Sequence, residues 1–265
     1  MKKSDNGVST HLVRTIKVLQ YRDGNFEEKY DDVVEEDFLT IEINGSILGT
    51  IACLPYQLEY LAFGFLFSEG FISKRSDVVS WHLEEKIFKA TLNDRPVVKG
   101  DKPTFLSGCG KGITFKDPFF YDEANNRKIN SSYIFSVEKI LEIMKEFLAL
   151  DRLHLATGGT HTAALVTEDE ILFIAPDIGR HNAVQKVAGW ALSEVVRMDD
   201  KFILTTGRIS REVVLYTLAL GISLIASPGA PMSLAIKSAE LAGIAVIGFV
   251  KGRRLTVFSH KERIH

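Results

Sequence analysis

The stretch Lys201–Val250, KFILTTGRISREVVLYTLALGISLIASPGAPMSLAIKSAELAGIAVIGFV, decides the fold class. Lys201–Thr205, Ser223–Ala226 and Ile244–Val250 are apolar runs of strand length. Between them, Ser210–Leu220 and Pro231–Ala242 carry apolar residues at helical spacing. The second of these opens on a proline, whose missing N–H is harmless in a first turn. Strand, helix, strand, helix, strand at this spacing predicts βαβ units with helices covering a largely parallel sheet. Leu255–Phe258 reads as one more strand.

Upstream the same grammar continues. Thr162–Thr167 and Ile171–Ala175 read as strands around an acidic turn, and His181–Val196 as a helix. Ser136–Leu150 opens on a capping serine, has Glu138 in its first turn, and lines up Ile140, Met144 and Phe147 on one face. Before residue 136 the pattern is mostly β. Leu12–Tyr21, Phe38–Ile43, Ile47–Cys53, Val78–His82 and Lys86–Leu92 are predicted strands. Asn44-Gly45 lies between two of them, and both residues accept positive φ, so a tight hairpin is expected there. Gln57–Phe67 spaces Leu58, Leu61, Ala62, Phe65 and Leu66 as a helix does, with Gly70 as its stop. Asp23–Asp37 holds eight acids and one lysine, which reads as a solvated loop or strand face. The expected organisation is a smaller, mostly β part over 1–135, containing the 57–67 helix and a glycine-rich loop at Cys109, and an α/β part over 136–265. The boundary is approximate, and the chain also reads as one continuous unit.

Composition narrows the function classes. Lys and Arg total 32 against 34 Asp and Glu, a balance that gives no general drive toward nucleic acid or an anionic membrane. Two cysteines cannot build a disulfide framework. Met1–Thr10 is polar, without the apolar core of a signal peptide. The apolar run Ala242–Val250 is too short to span a bilayer. A soluble protein of the reducing cytoplasm is expected.

Chemistry is expected where glycines and polar groups interrupt the core pattern. Ser107-Gly108-Cys109-Gly110-Lys111-Gly112 brings a thiol into the open beside a cation that favours the thiolate; a spectator cysteine in a glycine loop is the plainer alternative. Thr157–His161 precedes a strand, whereas Asp177–Asn182 and Thr205–Ser210 sit at strand-to-helix turns, where backbone N–H groups favour anions. No His has a second ligand at metal spacing, and C-x-x-C is absent, so no metal site is expected. After the last buried strand, Lys251, Arg253, Arg254, Lys261 and Arg263 stand against the single acid Glu262. Such a cluster suits phosphate, although a solvated basic tail has the same composition.

Together these segments resemble the FdhD family, the formate dehydrogenase accessory sulfurtransferases. The resemblance runs in order through Asn44-Gly45, Gly64-Phe65-Leu66 with Glu69-Gly70, the Cys109 loop, Thr157–His161, Asp177–Asn182, Thr206–Ser210 and Gly248–Arg254. It implies a cytidine-deaminase-like three-layer α/β domain beside a smaller β domain, and a homodimer. It implies a sulfurtransferase that takes persulfide sulfur from a cysteine desulfurase and passes it to the molybdenum or tungsten bis(pterin guanine dinucleotide) cofactor of formate dehydrogenase. The persulfide cysteine falls on Cys109. The cofactor-binding stretch falls on Phe249, Val250, Lys251, Gly252, Arg253 and Arg254, with Arg180, His181, Arg208 and His161 as further contacts and Asn182 as a looser one. A cofactor-binding chaperone that moves no sulfur would have much the same sequence. Neither nucleic acid nor membrane is an expected partner.

Three departures stand out. Gly112 occupies the place where many relatives carry a second cysteine, so Cys109 would both receive and donate. Lys251 stands where Arg is common, which keeps the charge and loses the fork. Pro176 and Gln185 replace frequent acids. Zinc deaminases, which the implied fold also suggests, use H-x-E with P-C-x-x-C; His161-Thr162-Ala163 lacks the glutamate and Thr206–Ser210 lacks the cysteines.

Overall fold

The computed structural model describes residues 11–93, 104–106, 112–114, 128–194 and 197–265, with backbone alone at 104–106 and 112–114. Three sheets organise most of it. The first is a two-stranded ribbon of β1 (Val13–Arg22) and β2 (Asn25–Val34). Thus the acidic stretch is a strand face rather than a loop. The second sheet has the order β4-β3-β6-β5, with β3 (Asp37–Ile43), β4 (Ser46–Cys53), β5 (Val78–Glu84) and β6 (Ile87–Leu92). Asn44 and Gly45 turn the β3–β4 hairpin at φ of 49° and 79°, the positive values that such a turn demands. Two short strands, β7 (Thr104–Leu106) and β8 (Gly112–Thr114), pair antiparallel on either side of 107–111. Cys109 itself lies outside the described residues.

The third sheet is the largest. Its strands are β9 (His161–Val166), β10 (Ile171–Asp177), β11 (Phe202–Thr205), β12 (Leu224–Ala226), β13 (Ala245–Lys251) and β14 (Arg254–Ser259), in the order β10-β9-β11-β12-β13-β14. β11, β12 and β13 are mutually parallel, whereas β9 runs against both β10 and β11. The residues of β9, β11, β12 and β13 are buried almost without alternation, as strands covered by helices require.

Among the described residues there are six α-helices: α1 (Leu58–Ser68), α2 (Val137–Leu150), α3 (Arg152–Thr157), α4 (Arg180–Ser193), α5 (Arg211–Leu220) and α6 (Ser233–Ala242). Ser136 caps α2, accepting from Lys139 N at 3.5 Å. The short α3 has no counterpart in the sequence reading. α5 and α6 are the crossovers between parallel strands, and they share with α2 and α4 one core that includes Phe147, Val184, Val214 and Ala239.

Helix α1 follows its predicted spacing but is covered on every side over its second half. Leu61 through Ser68 are all buried, because α1 lies between the second sheet and α4. The contact with α4 is backbone to backbone. A Cβ on Gly64 would fall 1.7 Å from the Gln185 carbonyl oxygen, and one on Gly189 1.9 Å from that of Tyr60. Two glycines therefore let the two larger sheets close onto one framework.

Candidate functional site

Strand direction collects the candidate residues. β10, β11, β12 and β13 end at the same edge of the large sheet, and β9, running the opposite way, begins there. His161 is accordingly the register partner of Asp177, and Thr206 N donates to Thr162 O at 2.9 Å. Three glycine turns and the β13–β14 hairpin share this edge, the carboxyl edge at which open α/β sheets bind ligands. From β10 to β13 is four strand spacings, about 19 Å at about 4.8 Å each, so the row suits an extended guest.

Turns beneath the edge are tied to one another. Ser227 Oγ donates to Gly207 O at 2.7 Å and accepts from Gly229 N at 2.9 Å. Ile209 N donates to Ala230 O at 3.1 Å, and Phe249 N to Gly229 O at 3.1 Å. The Ser227–Pro231 turn is thus a fourth turn of the site, one that the sequence reading did not single out. Its signal was Ser-Pro-Gly-Ala-Pro directly after a buried strand.

The Asp177–Asn182 turn divides its residues between two tasks. Asp177 and Lys186 form an ion pair of 2.7 Å with both side chains fully buried. Asp177 Oδ1 accepts from Gly179 N at 2.9 Å and Asn182 Nδ2 at 2.8 Å, and Oδ2 from Leu54 N at 3.2 Å. Lys186 Nζ also donates to Pro176 O at 3.0 Å and Leu54 O at 3.4 Å, and Asn182 Nδ2 to Ala52 O at 2.9 Å. Each charge in the pair is hydrogen-bonded, as a buried pair must be. Asn182 is spent on this knot, which fastens the end of β4 to the turn. Lys186 was legible as a cation on the face that carries Ala183 and Val187.

Arg180 and His181 sit over the knot. Arg180 is buried, packed where Gly207 lacks a side chain: a Cβ there would be 2.8 Å from Arg180 Cβ. His181 Nε2 is 3.0 Å from Ser210 Oγ and 4.0 Å from Glu212 Oε2. Burial first, and then the Arg180 charge, pull His181 down to about 4. His161, half-buried, is lowered for the same two causes in the same order. Both imidazoles are neutral at pH 7, able to donate and accept. Behind His161, the buried Asp151 accepts from Thr162 Oγ1 at 2.6 Å, and burial raises its carboxyl. His154 Nδ1 lies 2.6 Å from Thr160 O; a carbonyl only accepts, so Nδ1 carries the proton.

The basic end is arranged differently. Lys251, Gly252, Arg253 and Arg254 form the exposed tip of the β13–β14 hairpin, with Lys251 paired to Arg254. Arg208 is also exposed. Phe249 is 45% exposed and holds a φ of 54°, an unusual conformation for a bulky residue and one found at functional turns. The Val250 side chain points into the core, which leaves only its backbone for a ligand. Among the described residues no group of three His, Cys, Asp or Glu is placed to hold a metal ion, and no helix is long and apolar enough to cross a membrane. Cys53 is fully buried, and burial, then Asp177, pushes its thiol up to about 12.

Comparison with known proteins gives a consistent picture. A family model described as the FdhD/NarQ family matches residues 34–265. The chain is 37% identical over 253 residues to a sulfur carrier protein FdhD of Geobacillus kaustophilus, covering 93% of this chain and 95% of that one. It is 38% identical over 260 residues to the sulfur carrier protein FdhD of Listeria innocua, covering 96% and 99%. A crystal structure from Desulfotalea psychrophila, provisionally described as a formate dehydrogenase accessory protein, superposes with a TM-score of 0.79 at 25% identity, covering 96% of this chain and all of that one.

Proposed function

Because the chain belongs to the FdhD/NarQ family, we propose that it is a sulfurtransferase of formate dehydrogenase maturation. Cys109 takes persulfide sulfur from a cysteine desulfurase. It passes that sulfur to the molybdenum or tungsten bis(pterin guanine dinucleotide) cofactor, which is cargo rather than a resident group. The protein works in the cytoplasm as a homodimer. The large sheet is read as cytidine-deaminase-like, in keeping with an antiparallel β9–β10 pair beside three parallel strands.

One observation carries this reading. The chain has two thiols, and Cys53 is sealed and held protonated. Sulfur transfer needs an accessible thiolate, which leaves Cys109, flanked by glycines and followed by Lys111. In the transfer, the Cys109 thiolate attacks the outer sulfur of the donor persulfide. A new S–S bond forms on Cys109, the donor S–S bond breaks, and the donor cysteine departs as thiolate, with no net oxidation.

Roles at the carboxyl edge follow from exposure and charge. Arg208, Lys251, Arg253 and Arg254 offer solvent-facing cations to the dinucleotide phosphates. Phe249 and Gly252 shape the hairpin that presents them. Neutral His161 and His181 suit the uncharged hydrogen-bonding edges of a pterin or guanine. Arg180, held inside, lends its positive field to the turn.

Mass spectrometry after incubation with a cysteine desulfurase and cysteine tests the proposal. The expected result is a gain of one sulfur, about 32 Da, on Cys109, lost in Cys109→Ala and kept in Cys53→Ala. No adduct on Cys109 under turnover would overturn sulfur transfer and favour a chaperone that only shelters the cofactor.

A further inference from the structure

His181 meets two groups of α5 at one and the same nitrogen. Its Nε2 is 3.0 Å from Ser210 Oγ and 4.0 Å from Glu212 Oε2. Ser210 is buried and occupies the N-cap of α5 with a cap's extended backbone. A serine in that place ordinarily accepts from a first-turn N–H. The Ser210 side chain makes no such bond. Only its backbone carbonyl serves the helix, accepting from Val214 N at 3.2 Å. The hydroxyl is turned to His181 instead, so α5 gives up a cap for this contact.

What the contact does follows from the chemistry of a neutral imidazole. One ring nitrogen carries the proton and the other a lone pair, and the surroundings decide which. A hydroxyl serves either form, since it can donate to a bare Nε2 or accept from Nε2–H. Glu212 breaks the tie. A carboxylate attracts an N–H dipole and repels a lone pair, and between partly buried groups this preference is little screened. Nε2 therefore holds the proton and donates to Ser210 Oγ, and a serine that accepts here has turned its oxygen away from the helix N–H groups. The other charged or titratable groups that act on the ring are Arg180 on α4 and His161 on β9. Among the described residues no hydrogen bond reaches Nδ1, and the His181 side chain is 15% exposed. A lone pair is thus left for a guest at the carboxyl edge. Guanine and pterin share an edge that suits it, an amino group and a ring N–H beside a carbonyl.

We propose that Ser210 is a positioning residue that, with Glu212, fixes His181 as its Nε2–H tautomer, so that Nδ1 accepts a hydrogen bond from an N–H of the guest's guanine or pterin edge. The proposal rests on the reading of the carboxyl edge as a cofactor site and adds what His181 recognises there and what orients it. It depends on no step of sulfur transfer.

Long-range proton–nitrogen NMR of the full chain, isotope-labelled at histidine, tests it at about pH 7, where the ring is neutral. The His181 signals are assigned by their loss in His181→Asn. The expected spectrum shows Nε2 protonated and Nδ1 bare. In Ser210→Ala the minor Nδ1–H form is expected to rise about tenfold, and Ser210→Thr, which keeps the hydroxyl, to restore the parent ratio. Glu212→Gln keeps the shape and removes the charge, and is expected to raise the same minor form on an intact fold. Calorimetric titration reads the consequence. The Kd for GDP or for a reduced pterin is expected to rise about tenfold in Ser210→Ala, the loss of one oriented hydrogen bond, and to stay within about threefold in Ser210→Thr. Titrating the two ligands separately shows which ring is held, because that ligand moves the Nδ1 resonance. A parent spectrum with Nδ1 protonated, or a tautomer ratio unmoved by Ser210→Ala and Glu212→Gln, overturns the positioning role. Binding of either ligand with Nδ1 unmoved overturns recognition by His181 and leaves the cofactor edge standing. Binding of neither ligand overturns the cofactor edge itself, and with it the recognition assigned to Nδ1.

Discussion

At the seam between α1 and α4, the buried charges are answered by partners from the chain itself. At the β13–β14 tip, three cations face solvent. The seam holds carbonyl oxygens against glycines, a buried Asp177–Lys186 pair and an Asn182 hydrogen-bonded on both sides. The tip holds Lys251, Arg253 and Arg254 on a hairpin turn. Both regions border the same sheet edge and both draw on residues of the glycine-rich turns. Polar groups that satisfy one another hold the framework, and those that the fold leaves unanswered remain for a guest. A motif residue therefore declares its task through the partners it already has.

Breaking the seam has the largest expected effect. Gly64→Ala drives a methyl group into the Gln185 carbonyl and is expected to cost about 4 kcal/mol or more. Calorimetry would then show a Tm lower by about 10 °C, and an unchanged Tm would mean that the helices tolerate separation. Next comes Lys186→Met, which strands a buried carboxylate and is expected to cost about 3–5 kcal/mol in urea unfolding. Lys186→Met with Asp177→Asn should recover part of that loss.

His181 lies between the two regions and gives a pH signature. Its folded pKa of about 4 lies below its usual 6.5, so the unfolded chain binds more protons between those values. The contribution is fully present above pH 6.5 and is lost as pH falls toward 4. About 3 kcal/mol is at stake, and urea unfolding at pH 7 and 4.5 should show a difference that shrinks in His181→Asn. At the tip the expected change in stability is smallest: Arg253→Ala/Arg254→Ala should unfold within about 0.5 kcal/mol of the parent. Calorimetric titration with GDP should nevertheless show weaker binding, and unchanged affinity would move the phosphate site elsewhere.

Much of the framework was legible because local signals agreed with the final packing. Asn44-Gly45 marked its hairpin, Ser136 its helix start, and the apolar runs after Lys201 their covered strands. β2 was harder to read because its acids come as doublets between Phe26, Tyr30 and Val33, on a ribbon that no layer covers among the described residues. α3 spans six residues, too few for a period to show. At the site, the sequence singled out the turns but not their inward and outward residues. Arg180 is turned inside by the space left at Gly207, a residue from another turn. Arg208, only one residue beyond that glycine, faces out. Asn182 was read as a ligand contact, while its amide meets Ala52 and Asp177. Such assignments depend on contacts between segments far apart in the chain, which no spacing encodes.

The bare α-carbons of Gly64 and Gly189 also bear on motion. Packed helices ordinarily shear by letting side chains flip between rotamers, but here peptide groups abut with no such cushion. Close peptide contact of this kind resists sliding of α1 along α4 and couples the two larger sheets. The strand-end turns and the hairpin tip, which carry no such contact, are the places left to adjust to a bulky incoming molecule.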